Sequence, residues 1–381
     1  MSEGGANMAG TNTAGTNTAG TNTAGTNTAG TSVAGTSVAG ANVLLGVRDL
    51  KKHFPVKKGF LRRVVGHVRA VDGVSFDLYE QETLGLVGES GCGKTTVAKM
   101  IVRAIDPTDG QMLFAGESGT VDVAGLRGEE LLKARRSIQM IFQDPYASLN
   151  PRHRIRDIIG EPLLVNRMAS GTQLEERVAA LMEQVGLRPE YAIRYPHAFS
   201  GGQRQRIGIA RALSLSPRLI VCDEPVSALD MSIQAQILNL LKDLQDAYGL
   251  TYLVISHDLG VVQHISDRVA VMYLGKLVEV APTEQLFGRP RHPYTEALLS
   301  ASPRPHPRYR GQMKIIAGEV PDASQQIEGC PFRTRCPYAQ AICAEQEPEL
   351  APTGSEPDQL AACHFASELT LTGAATAGER A

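Results

Sequence analysis

The stretch Gly88-Glu89-Ser90-Gly91-Cys92-Gly93-Lys94-Thr95, continued by Thr96, limits what this chain can fold into more than any other. It fits a phosphate-loop pattern and stands where that pattern must stand. The apolar run Thr83–Val87 before it predicts a strand, and Val97–Ala104 after it predicts a helix. Glycines there let backbone N–H groups curl around a phosphate at a helix N-terminus. Lys94 brings positive charge to the β and γ oxygens, and the Thr95 hydroxyl can ligate Mg²⁺. A plain glycine-rich turn is the bland alternative. A strand, such a loop and a helix are also the first steps of an α/β domain.

The rest of the pattern agrees with that class. Val74–Leu78, Thr83–Val87, Leu219–Cys222 and Tyr252–Ile255 read as short strands, the last two apolar throughout, as strands buried on both faces are. Between them, a helical subdomain is predicted over about residues 144–213. In it Leu174, Val178, Leu181 and Val185, at spacings of four, three and four, give one helix an apolar face.

At 381 residues the chain has room for one large α/β domain or two smaller ones, with appendages. Residues 11–30 repeat Thr-Asn-Thr-Ala-Gly four times and residues 31–40 repeat Thr-Ser-Val-Ala-Gly twice, so residues 1–42 have almost nothing with which to build a core and are expected to be a disordered tail. The principal domain is expected over residues 43–285. The prolines after Val280 (Pro282, Pro290, Pro293, Pro303, Pro305, Pro307) predict a separately wrapped extension over 286–367 rather than more sheet, followed by a flexible tail at 368–381.

A net charge of -2 provides no global basic field, which argues against nucleic acid as a partner. The basic segment 51–69, with Lys51, Lys52, Lys57, Lys58, Arg62, Arg63 and Arg69, is expected to be a solvated loop, contact with lipid headgroups or nucleotide phosphate being the alternative. No run of eighteen apolar residues and no secretory signal layout is visible, so the chain is expected to act in the cytoplasm.

Two further stretches carry chemistry. Leu219–Cys222 ends in Asp223-Glu224, one carboxylate suited to Mg²⁺ (Asp223) and one to activating a water as general base (Glu224), although both are also ordinary helix-start residues. Phe199-Ser200-Gly201-Gly202-Gln203 opens the helix Arg204–Leu213 and offers a second anion site without a lysine, or simply a helix cap. One nucleotide needs one cradle within its own subunit. Two such loops in one chain therefore suggest a dimer in which each nucleotide is faced by the other subunit's Ser200–Gln203 loop.

In this order the phosphate loop, Gln143, Ser200-Gly201-Gly202-Gln203, Asp223-Glu224, Ser227-Ala228-Leu229-Asp230 and His257 resemble an ABC ATPase, whose core is a P-loop NTPase fold. The resemblance implies ATP and Mg²⁺ as ligands, with Gln143 sensing Mg²⁺ and the attacking water and coupling to the membrane subunits. It also implies that His257 contacts the γ-phosphate, that Asp230 lies at the dimer interface, and that an aromatic residue packs on adenine. Phe54 is the candidate for that last role, with Phe60 competing. Each has a plain alternative: Gln143 as a strand-end amide, His257 as a capping residue, Asp230 as an N-cap to Ile233–Leu244.

Gln143-Asp144-Pro145-Tyr146-Ala147-Ser148-Leu149-Asn150-Pro151-Arg152, Asp223–Asp230 and His292-Pro293-Tyr294-Thr295 narrow the likeness to the oligopeptide, dipeptide and nickel importer ATPases. That group implies a second, usually different, ATPase subunit, two transmembrane permease subunits and an extracytoplasmic substrate-binding protein. It also implies a peripheral place on the cytoplasmic side of the membrane. Peptide is the leading cargo and nickel or another small solute the alternative; a soluble ABC ATPase acting on nucleic acid is the remote one. Ala198 and Phe199 depart from the acidic residue and leucine commoner before the signature loop.

Cys330, Cys336, Cys343 and Cys363, with five, six and nineteen residues between them, are too irregular for a two-knuckle zinc ribbon. They are compatible with a [4Fe–4S] cluster, to which some family members also point; zinc or no metal are the alternatives. Cys92 and Cys222 read as small buried hydrophobes.

Overall fold

Backbone pairing and alternating burial explain most of the architecture. The computed structural model describes residues 42–59, 63–116, 119–144, 146–301, 321, 327–354 and 356–374. The expected repeat tail up to residue 41, the competing Phe60, Pro303, Pro305, Pro307 and the end of the C-terminal tail lie outside the described residues.

In chain order, strands β1 (Val43–Lys58) and β2 (Arg63–Tyr79) precede β3 (Thr83–Val87) and helix α1 (Lys94–Ile101). Strands β4 (Asp109–Gly116) and β5 (Gly119–Asp122) are followed by α2 (Gly128–Ser137), β6 (Ile138–Ile141), and then α3 (Ile155–Val165), α4 (Gly171–Gln184) and α5 (Gly201–Leu213). Next come β7 (Leu219–Asp223), α6 (Met231–Tyr248), β8 (Thr251–Ile255), α7 (Leu259–Ile265), β9 (Arg268–Tyr273) and β10 (Lys276–Pro282). The chain continues through α8 (Thr283–Gly288), α9 (Pro293–Ala301) and α10 (Ile342–Glu345) to β11 (Ala351–Thr353) and β12 (Glu356–Ala361).

Among the described residues these form an eight-stranded sheet in the order β11-β12-β10-β9-β3-β8-β7-β6 and a four-stranded antiparallel sheet in the order β2-β1-β4-β5. Within the larger sheet β6, β7, β8, β3 and β9 run parallel. Their apolar runs are explained by burial on both faces. In β7, Leu219 and Val221 join one core cluster while Ile220 and Cys222 join the other; in β8, Leu253 and Ile255 oppose Tyr252 and Val254 in the same way. Because the strands are parallel, the carboxyl ends of β3, β6, β7 and β8 emerge on one edge. In the helical stretch, Val178 and Val185 are buried and Leu174 and Leu181 pack against the same cluster, which is the apolar face the spacing predicts.

Two expectations need correction. Most of the segment expected to be a loop over 51–69 is strand, because β1 and β2 pair with Phe54 opposite Val68 and His53 opposite Arg69. Cross-strand hydrogen bonds satisfy that backbone, and the basic residues that interrupt its apolar ones conceal the pairing in the sequence. The proline-rich extension is not excluded from the sheet either: β12 pairs with β10, and β11 with β12. Pro352 lies in β11, the first strand in the order, and an edge strand tolerates the missing N–H.

A fully buried carboxylate holds the extension to the sheet. Glu279 of β10 accepts from the Arg291 N–H (2.8 Å), the His292 N–H (2.9 Å) and Gln359 Nε2 of β12 (2.8 Å). Burial pushes its carboxyl above the usual carboxylate range, against the pull of these donors. Replacement of Glu279 by Ala leaves the Arg291 and His292 N–H groups without their acceptor, and Gln359 Nε2 with the Arg289 carbonyl at 3.0 Å, and is expected to lower stability by roughly 3 kcal/mol. Denaturant unfolding of the full chain checks this.

Candidate active site

The phosphate loop leaves β3 at its carboxyl end and enters α1 through Gly93, whose φ is 112°. A Cβ at this position would stand 2.1 Å from the Ala70 carbonyl oxygen of β2, so the left-handed backbone and the close approach both require glycine. Lys94 Nζ donates to the carbonyl oxygens of Gly88 (2.7 Å) and Glu89 (3.0 Å) and lies 3.7 Å from Cys92 Sγ. The ammonium thus turns back into its own loop, beside Gly88, Glu89, Ser90, Gly91 and Cys92, while Thr95 and Thr96 begin the helix.

Three other strand ends emerge on the same edge. At the end of β7, Asp223 Oδ1 accepts from the Thr95 hydroxyl at 3.1 Å. Burial pushes the Asp223 carboxyl up while the Thr95 hydrogen bond pulls it down. The next residue, Glu224, has φ 48°, a left-handed conformation that a glutamate adopts only when its surroundings impose it. Its N–H donates to the Ile255 carbonyl of β8 at 2.9 Å, and its own carbonyl accepts from the Ser227 hydroxyl at 3.2 Å. That turn aims the carboxylate between Gln143, just past β6, whose Nε2 donates to Oε2 at 2.7 Å, and His257, just past β8, whose Nδ1 lies 3.0 Å from Oε1.

The sequence-predicted residues Lys94, Thr95, Gln143, Asp223, Glu224 and His257 are therefore gathered at one sheet edge. Phe54 is 40 % exposed on β1, opposite Val68 and so two residues along β2 from the Ala70 that backs Gly93; Lys52 Nζ lies 5.2 Å from its ring centre. The arrangement can bind a phosphate chain at the helix start, offer oxygen donors from Thr95 and Asp223, and hold one carboxylate ready to accept a proton from water.

Ser200 and Asp230 form a different group. Ser200 is the N-cap of α5, accepting from the Gln203 N–H at 3.4 Å while Gln203 Oε1 accepts from the Ser200 N–H at 3.1 Å. Gly201 and Gly202 follow, and a Cβ on Gly202 would come within 2.4 Å of Ile233 Cγ2 of α6. Asp230 caps α6, accepting from the Ile233 N–H at 3.1 Å and the Ser232 hydroxyl at 2.8 Å. Phe199, the departure from leucine, is buried with its ring 6.0 Å from that of Tyr191.

The four C-terminal cysteines, all unpaired, line one small pocket with His292, Phe332 and His364. Burial pushes Cys330 and Cys336 up to about 11 and His292 down to about 3, so these groups stay neutral near pH 7. Among the described residues no three His, Cys, Asp or Glu side chains are grouped to hold a metal ion. The expected [4Fe–4S] ligand set, like its zinc alternative, is thus present as a shared lining but not as a formed coordination shell.

Sequence reading missed two residues that touch the phosphate loop. The Tyr294 hydroxyl accepts from the Glu89 N–H at 2.8 Å, and Arg335 pairs with the Glu89 carboxylate at 2.8 Å. They lie 205 and 246 residues from Glu89. No local spacing points to either, although Tyr294 lies within the stretch His292–Thr295 that narrowed the resemblance.

Comparison with known proteins agrees with the geometry. A family pattern described as ABC transporter matches residues 71–227, and one described as oligopeptide/dipeptide transporter, C-terminal region, matches residues 278–343. The chain is 53 % identical over 329 residues to the oligopeptide transport ATP-binding protein AppF of Bacillus subtilis (strain 168), covering 85 % of this chain and 98 % of that one. It is 48 % identical over 327 residues to the di/tripeptide transport ATP-binding protein DppF of Pseudomonas aeruginosa (strain UCBPP-PA14), again covering 85 % and 98 %. Among solved structures it is similar to a dimeric ATP-binding cassette in a post-hydrolysis state bound to ADP and Pi. That match has a TM-score of 0.55 and 28 % identity, and covers 63 % of this chain and 98 % of that one.

Replacing Gly93 by Ala is expected to weaken ATP binding by more than tenfold, because the clash with the Ala70 carbonyl displaces the start of α1 by a distance that binding geometry does not tolerate. Titration with a fluorescent ATP analogue measures it.

Proposed function

This chain belongs to the ABC transporter ATP-binding proteins, in their oligopeptide/dipeptide group, and from that premise we propose that it hydrolyses ATP to drive a peptide importer. The observation that carries the catalytic part is Glu224, held in a left-handed backbone with its carboxylate between Gln143 and His257.

In this reading the loop 88–95 and Thr96 bind the phosphates at the start of α1, and Lys94 leaves the Gly88 and Glu89 carbonyls to neutralise β and γ charge. Phe54 packs on adenine. Thr95, Asp223 and Gln143 hold Mg²⁺: their donors are hard oxygens, and one carboxylate with a hydroxyl is the kind of sparse protein set that Mg²⁺ accepts when phosphates complete it. When bound, the ion draws charge from the phosphate oxygens. Glu224 accepts the proton of the attacking water, which contributes roughly 10²–10⁴-fold, and His257 reaches the γ-phosphate from the other side of that carboxylate.

Ser200–Gln203 faces the nucleotide of a second, related ATPase subunit, and Asp230 lies along the same contact. Support comes from the dimeric state of the similar cassette and from a helix start, at α5, that no phosphate loop of this chain uses. Among the described residues no helix is long and apolar enough to cross a membrane. From its likeness to transport ATP-binding proteins, and not from that observation, we place the chain on the cytoplasmic face, held by two permease subunits that a substrate-binding protein supplies with peptide. Residues 43–285 serve as the cassette and 286–367 as its C-terminal extension.

The thiol pocket is proposed as the ligand set of a [4Fe–4S] cluster. Four cysteines lining one pocket support this, and such a centre would draw the thiols closer than this structure holds them. Anaerobically purified protein is expected to show the broad visible absorption of an iron–sulfur centre; a colourless sample carrying one zinc rules the cluster out.

Replacing Glu224 by Gln in the assembled transporter is expected to abolish turnover by at least about a hundredfold while ATP binding is kept. Hydrolysis at the wild-type rate would show that another group is the base.

A further inference from the structure

Glu89, the second residue of the phosphate loop, is held at three points. Its carbonyl accepts from Lys94 Nζ at 3.0 Å, and its N–H donates to the Tyr294 hydroxyl of α9 at 2.8 Å. Its carboxylate receives both arms of one guanidinium, Arg335 Nη1 to Oε2 at 2.8 Å and Nη2 to Oε1 at 2.9 Å. Two of the three grips come from beyond the cassette, and Arg335 stands in the segment between Cys330 and Cys336.

The guanidinium is built in. Its side chain is only 6 % exposed, and among the described residues Glu89 is the carboxylate it pairs with, with the Tyr273 hydroxyl at 3.4 Å as a further acceptor. A buried cation without its partner is costly, so the two groups fix one another. Fork-to-fork pairing sets direction as well as distance, which a single ammonium cannot do. The seat below is stiff: the rings of Tyr273, Tyr294 and Phe332 pack at 4.7, 5.3 and 5.4 Å, and the Arg335 N–H donates to the Phe332 carbonyl at 3.0 Å.

We propose that Arg335 is a positioning residue of the ATP site, fixing the phosphate loop through Glu89 from within the cysteine-bearing extension. The proposal rests on the reading of the chain as an ATPase. Glu89 bears on the cradle directly, because its carbonyl accepts the Cys92 N–H (3.3 Å) that curls the loop and, until phosphate arrives, the Lys94 ammonium; a loop whose backbone is already held loses less freedom on binding. Glu224, Gln143 and His257 lie just past other strands, and their contacts with one another do not involve Arg335. Loss of Arg335 therefore weakens nucleotide binding and spares the chemical step.

The test is steady-state ATP hydrolysis by the assembled transporter carrying the full-length chain as wild type, Arg335→Gln, Arg335→Lys, Glu89→Gln or the double Arg335→Gln/Glu89→Gln. Arg335→Gln is expected to raise KM for ATP roughly tenfold, with kcat changed by less than about twofold. Arg335→Lys should fall between it and wild type, and the double variant should be no worse than the poorer single one. An unchanged KM in folded Arg335→Gln, or single effects that simply multiply in the double variant, overturns the proposal. Should Arg335→Gln fail to fold, Arg335→Lys keeps the charge without the fork, and an unchanged KM there overturns it equally. A wild-type complex that does not hydrolyse ATP overturns the ATPase reading itself, whereas normal hydrolysis with indifferent Arg335 variants overturns the positioning role alone.

Discussion

The phosphate loop and the carboxylates beside it depend on five parallel strands of the main sheet. Parallel pairing with helices on either side leaves no exposed face on which to build a site, so chemistry is confined to the edge where the carboxyl ends emerge. β3 delivers the phosphate loop there, β6 delivers Gln143, β7 delivers Asp223 and Glu224, and β8 delivers His257. Alternation of Leu219 and Val221 against Ile220 and Cys222 also fixes the register, because a slip by one residue would exchange the two cores.

At that edge the structure maintains a local strain. Glu224 occupies a left-handed backbone at φ 48°, held by the Ile255 carbonyl and by Ser227. The conformation costs of order 1–3 kcal/mol and persists because the surroundings over-determine it. In return the carboxylate sits between an amide and an imidazole instead of continuing along the strand. The same economy of position is visible at Gly93, where the Ala70 carbonyl leaves no volume for a side chain.

The C-terminal extension belongs physically to the core fold. β12 continues the main sheet through β10, and buried Glu279 gathers donors from Arg291, His292 and Gln359 at the junction. From this base Tyr294 and Arg335 reach the phosphate loop. The extension and the phosphate loop are therefore joined by direct contacts at Glu89.

The sequence alone determined the elements whose requirements are local. A glycine-rich turn needs glycines at its own positions, a strand buried on both faces needs a continuous apolar run, and a helix start needs Ser200 or Asp230 at its cap. The phosphate loop, β7, β8, α5 and the cap of α6 were therefore legible from neighbouring residues. The charge-rich span 51–69 of β1 and β2 was not, since basic residues interrupt its apolar ones and the partner of Phe54, Val68, lies on the other strand. Only the tertiary structure decided which of the predicted residues meet. Gln143 reaches Glu224 across 81 positions, and Arg335 reaches Glu89 across 246. Such contacts follow from strand order and from the docking of the extension, which no spacing along the chain encodes.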